Sequence, residues 1–241
     1  MKISFCTTCK NRVYQLQQTI FKNIQEIRQD GNSELILLNY NDNELDKFIE
    51  INFKEEIANK TLLYLKEEES VFFEVSKAKN LAHFAASGDF LFNLDADNFI
   101  NNEFDAYRAL WKRTENIVIH GDRKKQNDGS FGRIGLSKKI FNYLGGYDED
   151  IGSYYEDVDL IKRCMELKLY YASVTDEKTV SIKNSIQETI KYTKYKNYTQ
   201  NECYLENKKI SVDKLDRNEI QRNLNRKKIK LQKNFNEYIY I

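Results

Sequence analysis

Two hydrophobic patterns alternate along most of the chain. Residues 2–7 form a short apolar run, and Val13, Leu16, Ile20, Ile24 and Ile27 then recur near helical spacing over 13–29. Asp30-Gly31 closes that helix, because glycine takes the left-handed conformation that ends a helix at little cost. Leu35-Ile36-Leu37-Leu38 makes the strand over 34–39 apolar on both faces, which places it inside a parallel sheet. The same reading predicts a helix over 44–59, a strand over 61–65, a helix over 76–86 capped by Ser76, and strands over 90–94 and 117–120. A polar loop over 122–132 follows, then a helix over 137–144 stopped by Gly145-Gly146, a helix over 155–167 and a strand over 170–174. Beyond Asn184 the chain turns rich in Lys, Asn and Tyr, and a charged helix over 211–235 is expected.

Strand and helix in alternation predict a doubly wound α/β layer with a mostly parallel sheet. The 241 residues suit one such domain over 1–184, followed by a basic, mainly helical appendage over 185–241. Lys and Arg number 38 against 37 Asp and Glu, so no global field draws the chain to nucleic acid. The charge is uneven: residues 185–241 carry 13 basic and 7 acidic side chains, net +6, and the rest is −5. No apolar run approaches the ~20 residues of a spanning helix. Met1-Lys2-Ile3-Ser4-Phe5 has no signal-peptide core, so a cytoplasmic location is expected.

Cys6-Thr7-Thr8-Cys9 lacks the second pair of ligands that a structural zinc site needs. A thioredoxin-like site is disfavoured because the chain has no proline to place beside a disulfide. One buried strand thiol and one loop thiol, both reduced, is the expectation.

Ligands of open α/β sheets bind where strands end. Three strand ends are polar here: Thr8-Cys9-Lys10-Asn11-Arg12, Asn39-Tyr40-Asn41-Asp42 and Asp95-Ala96-Asp97-Asn98. No Gly-x-Gly-x-x-Gly or P-loop pattern is present. Asp95 and Asp97 flank one alanine, so strand alternation points both carboxylates the same way, and hard oxygen ligands of that kind suit Mg²⁺ or Mn²⁺. Glu156-Asp157-Val158-Asp159 opens a helix, where acids either favour the dipole or present a base to a cleft. Tyr154 and Tyr155 before it are either sugar platforms or core.

Together these stretches resemble a GT-A glycosyltransferase of the family-two group, closest to galactosyltransferase-type and chondroitin-synthase-type members. Thr8–Arg12, Lys77–Leu81 with Gly88-Asp89-Phe90, Asp95-Ala96-Asp97, and Phe131–Arg133 through Leu160 carry the resemblance, in order, over roughly residues 2–174. It implies a Rossmann-like GT-A fold and an inverting transfer from a nucleotide sugar, UDP-linked, to a hydroxyl of a glycan acceptor in polysaccharide or glycoconjugate assembly. Asp97 and Asp95 would hold Mn²⁺ or Mg²⁺, with Asp95 also at the sugar or ribose. Thr8, Lys10, Arg12, Asn39, Asn41 and Lys79 would line the nucleotide pocket. Asp157 would be the base, and Glu156, Tyr154, Tyr155 and Gly146 the acceptor side.

Many such proteins carry an acid at the end of the second strand, where this chain has Asn39 or Asn41. Close members also carry a late histidine ligand. Here Val180-Ser181-Ile182-Lys183-Asn184 has none, leaving Lys183 to supply charge, or Asn184 or water to fill the position. His83 and His120 come earlier; the first is expected to pack or to lie at the surface, and the second ends a strand near the cleft with its role open. The basic tail is read first as a solvated helical cover, and otherwise as a surface for anionic membrane or for another subunit. A sugar-phosphate nucleotidyltransferase and a non-catalytic sugar-nucleotide- or glycan-binding module are the alternatives. The first normally has a glycine-rich loop that Cys9–Arg12 lacks, and the intact acids weigh against the second.

Overall fold

The structure is a computed structural model, which describes residues 1–101, 103–121, 131–174, 181–182 and 191–241. Among these, nine strands form one sheet: β1 Ile3–Cys9, β2 Ser33–Tyr40, β3 Leu62–Glu67, β4 Phe90–Asn93, β5 Ile117–Gly121, β6 Ile134–Ser137, β7 Tyr170–Val174, β8 Lys230–Lys233 and β9 Glu237–Tyr240. Their spatial order is β7-β5-β6-β4-β1-β2-β3-β8-β9. β3, β2, β1 and β4 are mutually parallel, while β6 and β8 run against their neighbours.

The helices are α1 Val13–Asp30, α2 Asn43–Asn52, α3 Lys54–Ala58, α4 Val75–Ala85, α5 Phe104–Arg113, α6 Lys138–Leu144, α7 Glu156–Glu166 and α8 Gln200–Asp216. They cover both faces of the sheet, which explains the unbroken apolar run of β2. Leu35 and Leu37 pack with Leu16, Ile20, Leu45 and Trp111 on one side. Ile36 and Leu38 pack with Ala78, Leu81, Phe141 and Leu160 on the other. Gly31 ends α1 at φ +68, as its place in the sequence predicts.

Several expectations are corrected. The helix over 44–59 is two helices, because Phe53 leaves helical backbone (φ −130) to bury its ring. Ser76 does not cap α4: it lies inside the helix, and its hydroxyl donates to Ile151 O at 2.5 Å, pinning α4 to the segment before α7. α5 and β6 were not anticipated.

The helix expected over 211–235 is also corrected, and the C-terminal segment is not only helical. α8 starts earlier, on a reciprocal capping box between Thr199 and Glu202, and ends at Asp216. Lys230–Tyr240 is a hairpin that extends the sheet at β3. Leu231 is buried in the core, Asn234 exchanges backbone and side-chain bonds with Tyr64, and the Phe235 ring stacks on Tyr64 at 4.8 Å. Pairing closes an edge that would otherwise expose unpaired backbone.

All four cysteines are free and buried, with Cys9 the last residue of β1 rather than a loop thiol. Burial pushes the Cys9 thiol up to about 12 and Cys6 well above its ordinary value, so neither is a nucleophile or a ready metal ligand. No described helix is long and apolar enough to cross a membrane.

Candidate active site

The parallel register brings the carboxyl ends of β1, β2 and β4 side by side. After β1 the chain turns at Asn11 (φ +52), and the Asn11 N–H donates to Asp42 Oδ2 at 2.8 Å. The other Asp42 oxygen caps α2 through Glu44 N and Leu45 N. Asp42 therefore fixes two strand ends together. Lys10 is buried, donating to Tyr40 O at 3.0 Å and Ser70 O at 3.5 Å. Burial lowers its pKa, against Asp42 and Glu67. Thr8 is half-buried on the same strand end.

Beyond β4, Ala96 turns into the core and Asp95 and Asp97 both stay half-buried, as alternation predicts. Arg12 reaches across from the β1 end to Asp97 Oδ2 at 3.0 Å, and Asn98 Nδ2 donates to Oδ1 at 2.7 Å. Burial and then Asp95 raise the Asp97 pKa, against Arg12. Asn93 positions the other acid, donating to Asp95 Oδ1 at 3.1 Å and to Gly132 O at 2.8 Å.

Gly132 stands between two carboxylates that are distant in sequence. A Cβ there would lie 2.8 Å from Asp95 Oδ2 and 3.1 Å from Asp157 Oδ2. Only glycine leaves both acids in place around that gap. Asp157 sits in the first turn of α7, and Lys79 of α4, 3% exposed, donates to Asp157 Oδ1 at 2.8 Å and Glu156 Oε1 at 3.0 Å. Its Nζ also lies 5.1 Å from the ring centre of Tyr147, whose buried hydroxyl has no hydrogen-bond partner among the described residues.

One ammonium faces two carboxylates, which decides their charges. Burial works against a charged Lys79, but Asp157 and Glu156 beside it hold its pKa well above the ordinary value. Burial pushes Asp157 up to about 8, with Glu156 and Asp95 adding to the rise and Lys79 opposing it. Asp157 is therefore a buried carboxyl that holds its proton to unusually high pH.

The remaining sequence-predicted residues occupy several different environments. Asn39 is fully buried; its Nδ2 donates to Asp42 O, Asp46 Oδ1 and Tyr64 Oη, and its Oδ1 accepts from Asp42 N–H. Its amide holds the turn together. Asn41 is exposed at φ +60, with Nδ2 3.3 Å from Ser70 O. Glu156 is buried, accepting from Lys79 and from Tyr155 N–H. Tyr155, 2% exposed, packs edge-on against Tyr204 at 5.1 Å, so it is core. Tyr154 is half-buried at φ +64. Gly146 (φ +72) abuts the Asn80 amide, which a Cβ would strike. His83 packs on Phe141, and burial lowers it to about 4. His120 pairs with Tyr171 Oη at 2.6 Å.

Sequence reasoning assigned no role to Asn93, Gly132 or Tyr147. Their signals were modest: a polar last strand residue, a glycine after a polar loop, and an aromatic after Gly145-Gly146.

The segment read as the late-ligand position does come to the acids. Ser181 bridges Asn98, and Ile182 N–H donates to Asp97 O at 2.8 Å. Lys183 and Asn184 lie outside the described residues. No group of three or more His, Cys, Asp or Glu among the described residues is arranged to hold a metal. The Asp95–Asp97 pair still fits a hard divalent cation as a partial site. Both residues offer carboxylate oxygen, the donor type a hard cation prefers, and Arg12 already marks Asp97 as a place where positive charge is held. The remaining ligands would come from phosphate and water.

No family model matches the chain. No curated protein matches it either. Solved structures do. The S. aureus TarS fragment 1–349 aligns over 80% of this chain at TM-score 0.55 and 15% identity, and the chain spans only 63% of that fragment. The mannosyltransferase PcManGT from Pyrobaculum calidifontis, solved with GDP-Man and Mn²⁺, aligns over 89% of this chain and 75% of its own at TM-score 0.60 and 12% identity. Drosophila β1,4-galactosyltransferase 7, solved with manganese, UDP-Gal and xylobiose, aligns over 84% and 79% at TM-score 0.55 and 14% identity. At such identities the likeness establishes the fold alone: the chain has the mixed α/β, GT-A fold of these glycosyltransferases.

Proposed function

We propose that the chain is an inverting glycosyltransferase that moves a sugar from a nucleotide donor, UDP-linked, to a hydroxyl of a glycan acceptor. The observation that carries this is the convergence of Asp95 and Asp157 on Gly132, with Arg12 and Asp97 on the nucleotide side. The donor diphosphate would lie over the β1 and β4 ends, beside Arg12 and within reach of a shift of Lys10. Their charge stabilises the leaving diphosphate as it develops. Asp95 and Asp97 would hold a divalent cation, which supplies further charge neutralisation when bound.

Asp157 faces the gap from the opposite element. As a carboxylate it takes the proton of the acceptor hydroxyl while that oxygen attacks the anomeric carbon. The hydroxyl O–H and the anomeric C–O bond to phosphate break, the new glycosidic bond forms, and one displacement inverts the centre. Lys79 holds Asp157 in place, and Glu156 holds Lys79. Tyr154, half-buried beside them, is the residue we assign to the acceptor.

Asp157→Asn tests the assignment. Transfer should fall by at least ~10³-fold, the loss expected when a positioned base is removed, with donor binding kept. Unchanged turnover would reject it. We also propose that the basic C-terminal segment, residues 185–241, touches anionic membrane peripherally; failure to pellet with phosphatidylserine vesicles would reject that.

A further inference from the structure

Both carboxylate oxygens of Asp97 are engaged within the protein: Oδ1 by Asn98 Nδ2 at 2.7 Å and Oδ2 by the Arg12 guanidinium at 3.0 Å. The ion pair is largely shielded, with the two side chains 18% and 13% exposed. Arg12 is the residue just before α1, so its backbone is anchored by Leu16 N–H and Gln15 N–H donating to Arg12 O. Its buried Nε has no hydrogen-bond partner among the described residues. The guanidinium thus engages Asp97 and still holds a donor with no partner among the described residues.

From this geometry we propose that Arg12 competes with the divalent cation for Asp97. A cation on Asp97 would be repelled by the guanidinium 3.0 Å from Oδ2, so each weakens the hold of the other on that carboxylate. An incoming diphosphate offers Arg12 a better partner, a bidentate anion for a planar fork of donors. Arg12 then moves from Asp97 to phosphate, and Asp97 is released to the metal. Nucleotide and metal binding are linked through one side chain, each favouring the other as linkage requires. In the empty protein Arg12 supplies the positive charge that Asp97 needs, and metal alone binds weakly. The inference rests on the glycosyltransferase reading of the site, but its test does not use turnover.

The experiment is Mn²⁺ binding to the full chain without nucleotide, followed by the electron paramagnetic resonance signal of free Mn²⁺. Arg12→Met should bind Mn²⁺ roughly tenfold more tightly than wild type, within the usual range of coupling between sites. Arg12→Gln, which keeps hydrogen bonding but not charge, should also tighten binding and guards against a folding defect in the first variant. Asp97→Asn added to either should abolish the gain. Equal or weaker Mn²⁺ binding in both Arg12 variants overturns the competition. A gain that survives Asp97→Asn overturns it too, by placing the metal elsewhere. UDP stabilisation of wild type, measured separately without metal, reports on the glycosyltransferase reading itself. That reading can fail without touching the Mn²⁺ comparison.

Discussion

Lys79 Nζ lies 2.8 Å from Asp157 Oδ1, so the ammonium from α4 holds the side chain that faces Asp95 across Gly132. The pair joins two elements on one face of the sheet and sets the protonation of the proposed base. Lys79 also bonds Glu156, and burial raises the Asp157 pKa against the pull of the ammonium, with Glu156 and Asp95 adding to the rise.

A stability consequence follows. The Asp157 pKa is raised by burial to about 8 in the fold, against the ordinary carboxyl value of 3.8. Below the ordinary value both states carry the proton and nothing is lost. As pH rises from there to about 8, the unfolded chain ionises freely while the native state resists, so native stability declines. Asp157→Asn removes this load and leaves Lys79 its Glu156 partner. Its melting temperature should exceed wild type at pH 8–9 by on the order of 5 °C and match it near pH 4. A uniform drop at all pH values in thermal melts would contradict the assignment.

Gly132→Ala should leave the fold intact and disable the site. The added methyl group meets two carboxylates, each of which must shift, and displacement by even ~1 Å can cost about 10²-fold in rate. Turnover with the identified donor, set beside an unchanged circular dichroism spectrum, checks this.

Asn39→Asp should destabilise, although an acid at that strand end is what the resemblance leads one to expect. The substitution removes the Nδ2 donor shared by Asp42 O, Asp46 and Tyr64 and sets a carboxylate against Asp46. Stranding buried acceptors costs about 2 kcal/mol, or roughly 4–8 °C in melting temperature. A melt within one degree of wild type would show that the amide is not structural.

Removing residues 227–241 should yield aggregates rather than a smaller monodisperse protein. The truncation strips β8 and β9 from the β3 edge and removes Leu231 from the core. An exposed edge strand is a template for pairing between chains. Size-exclusion chromatography distinguishes the outcomes, and a monodisperse truncated monomer would contradict the prediction.

What the sequence disclosed was mainly local. The apolar run 35–38, the glycine after α1 and the Asp-x-Asp at a strand end each depend on neighbours a few residues away. Helical spacing of Phe104, Tyr107 and Trp111 was equally present and passed unread, while β6 is only four residues long and contains Gly135. The C-terminal hairpin was harder. Its pattern, with Leu231 and Ile239 facing inward between exposed Lys230, Tyr238 and Tyr240, has strand period, but its partner β3 is remote in sequence.

In the site, residue identity pointed to Asp95, Asp97 and Asp157, but not to what holds them. Lys79 and Asn39 carry the right chemistry for a nucleotide pocket, and long-range packing gives both protein partners that no local pattern announces. Burial separates Tyr155, a core residue, from Tyr154, which a sequence cannot do for adjacent identical side chains.

The most direct test of the account is thermal denaturation of the full chain with a panel of UDP-, GDP- and other nucleotide sugars, with and without Mn²⁺. A ligand at 100 times its dissociation constant adds about 2.7 kcal/mol, a rise of roughly 5–10 °C for a chain of this size. The account predicts such a rise with one UDP-sugar, larger with Mn²⁺ and losing the metal increment in Asp97→Ala. No rise with any nucleotide sugar, with or without metal, would contradict it.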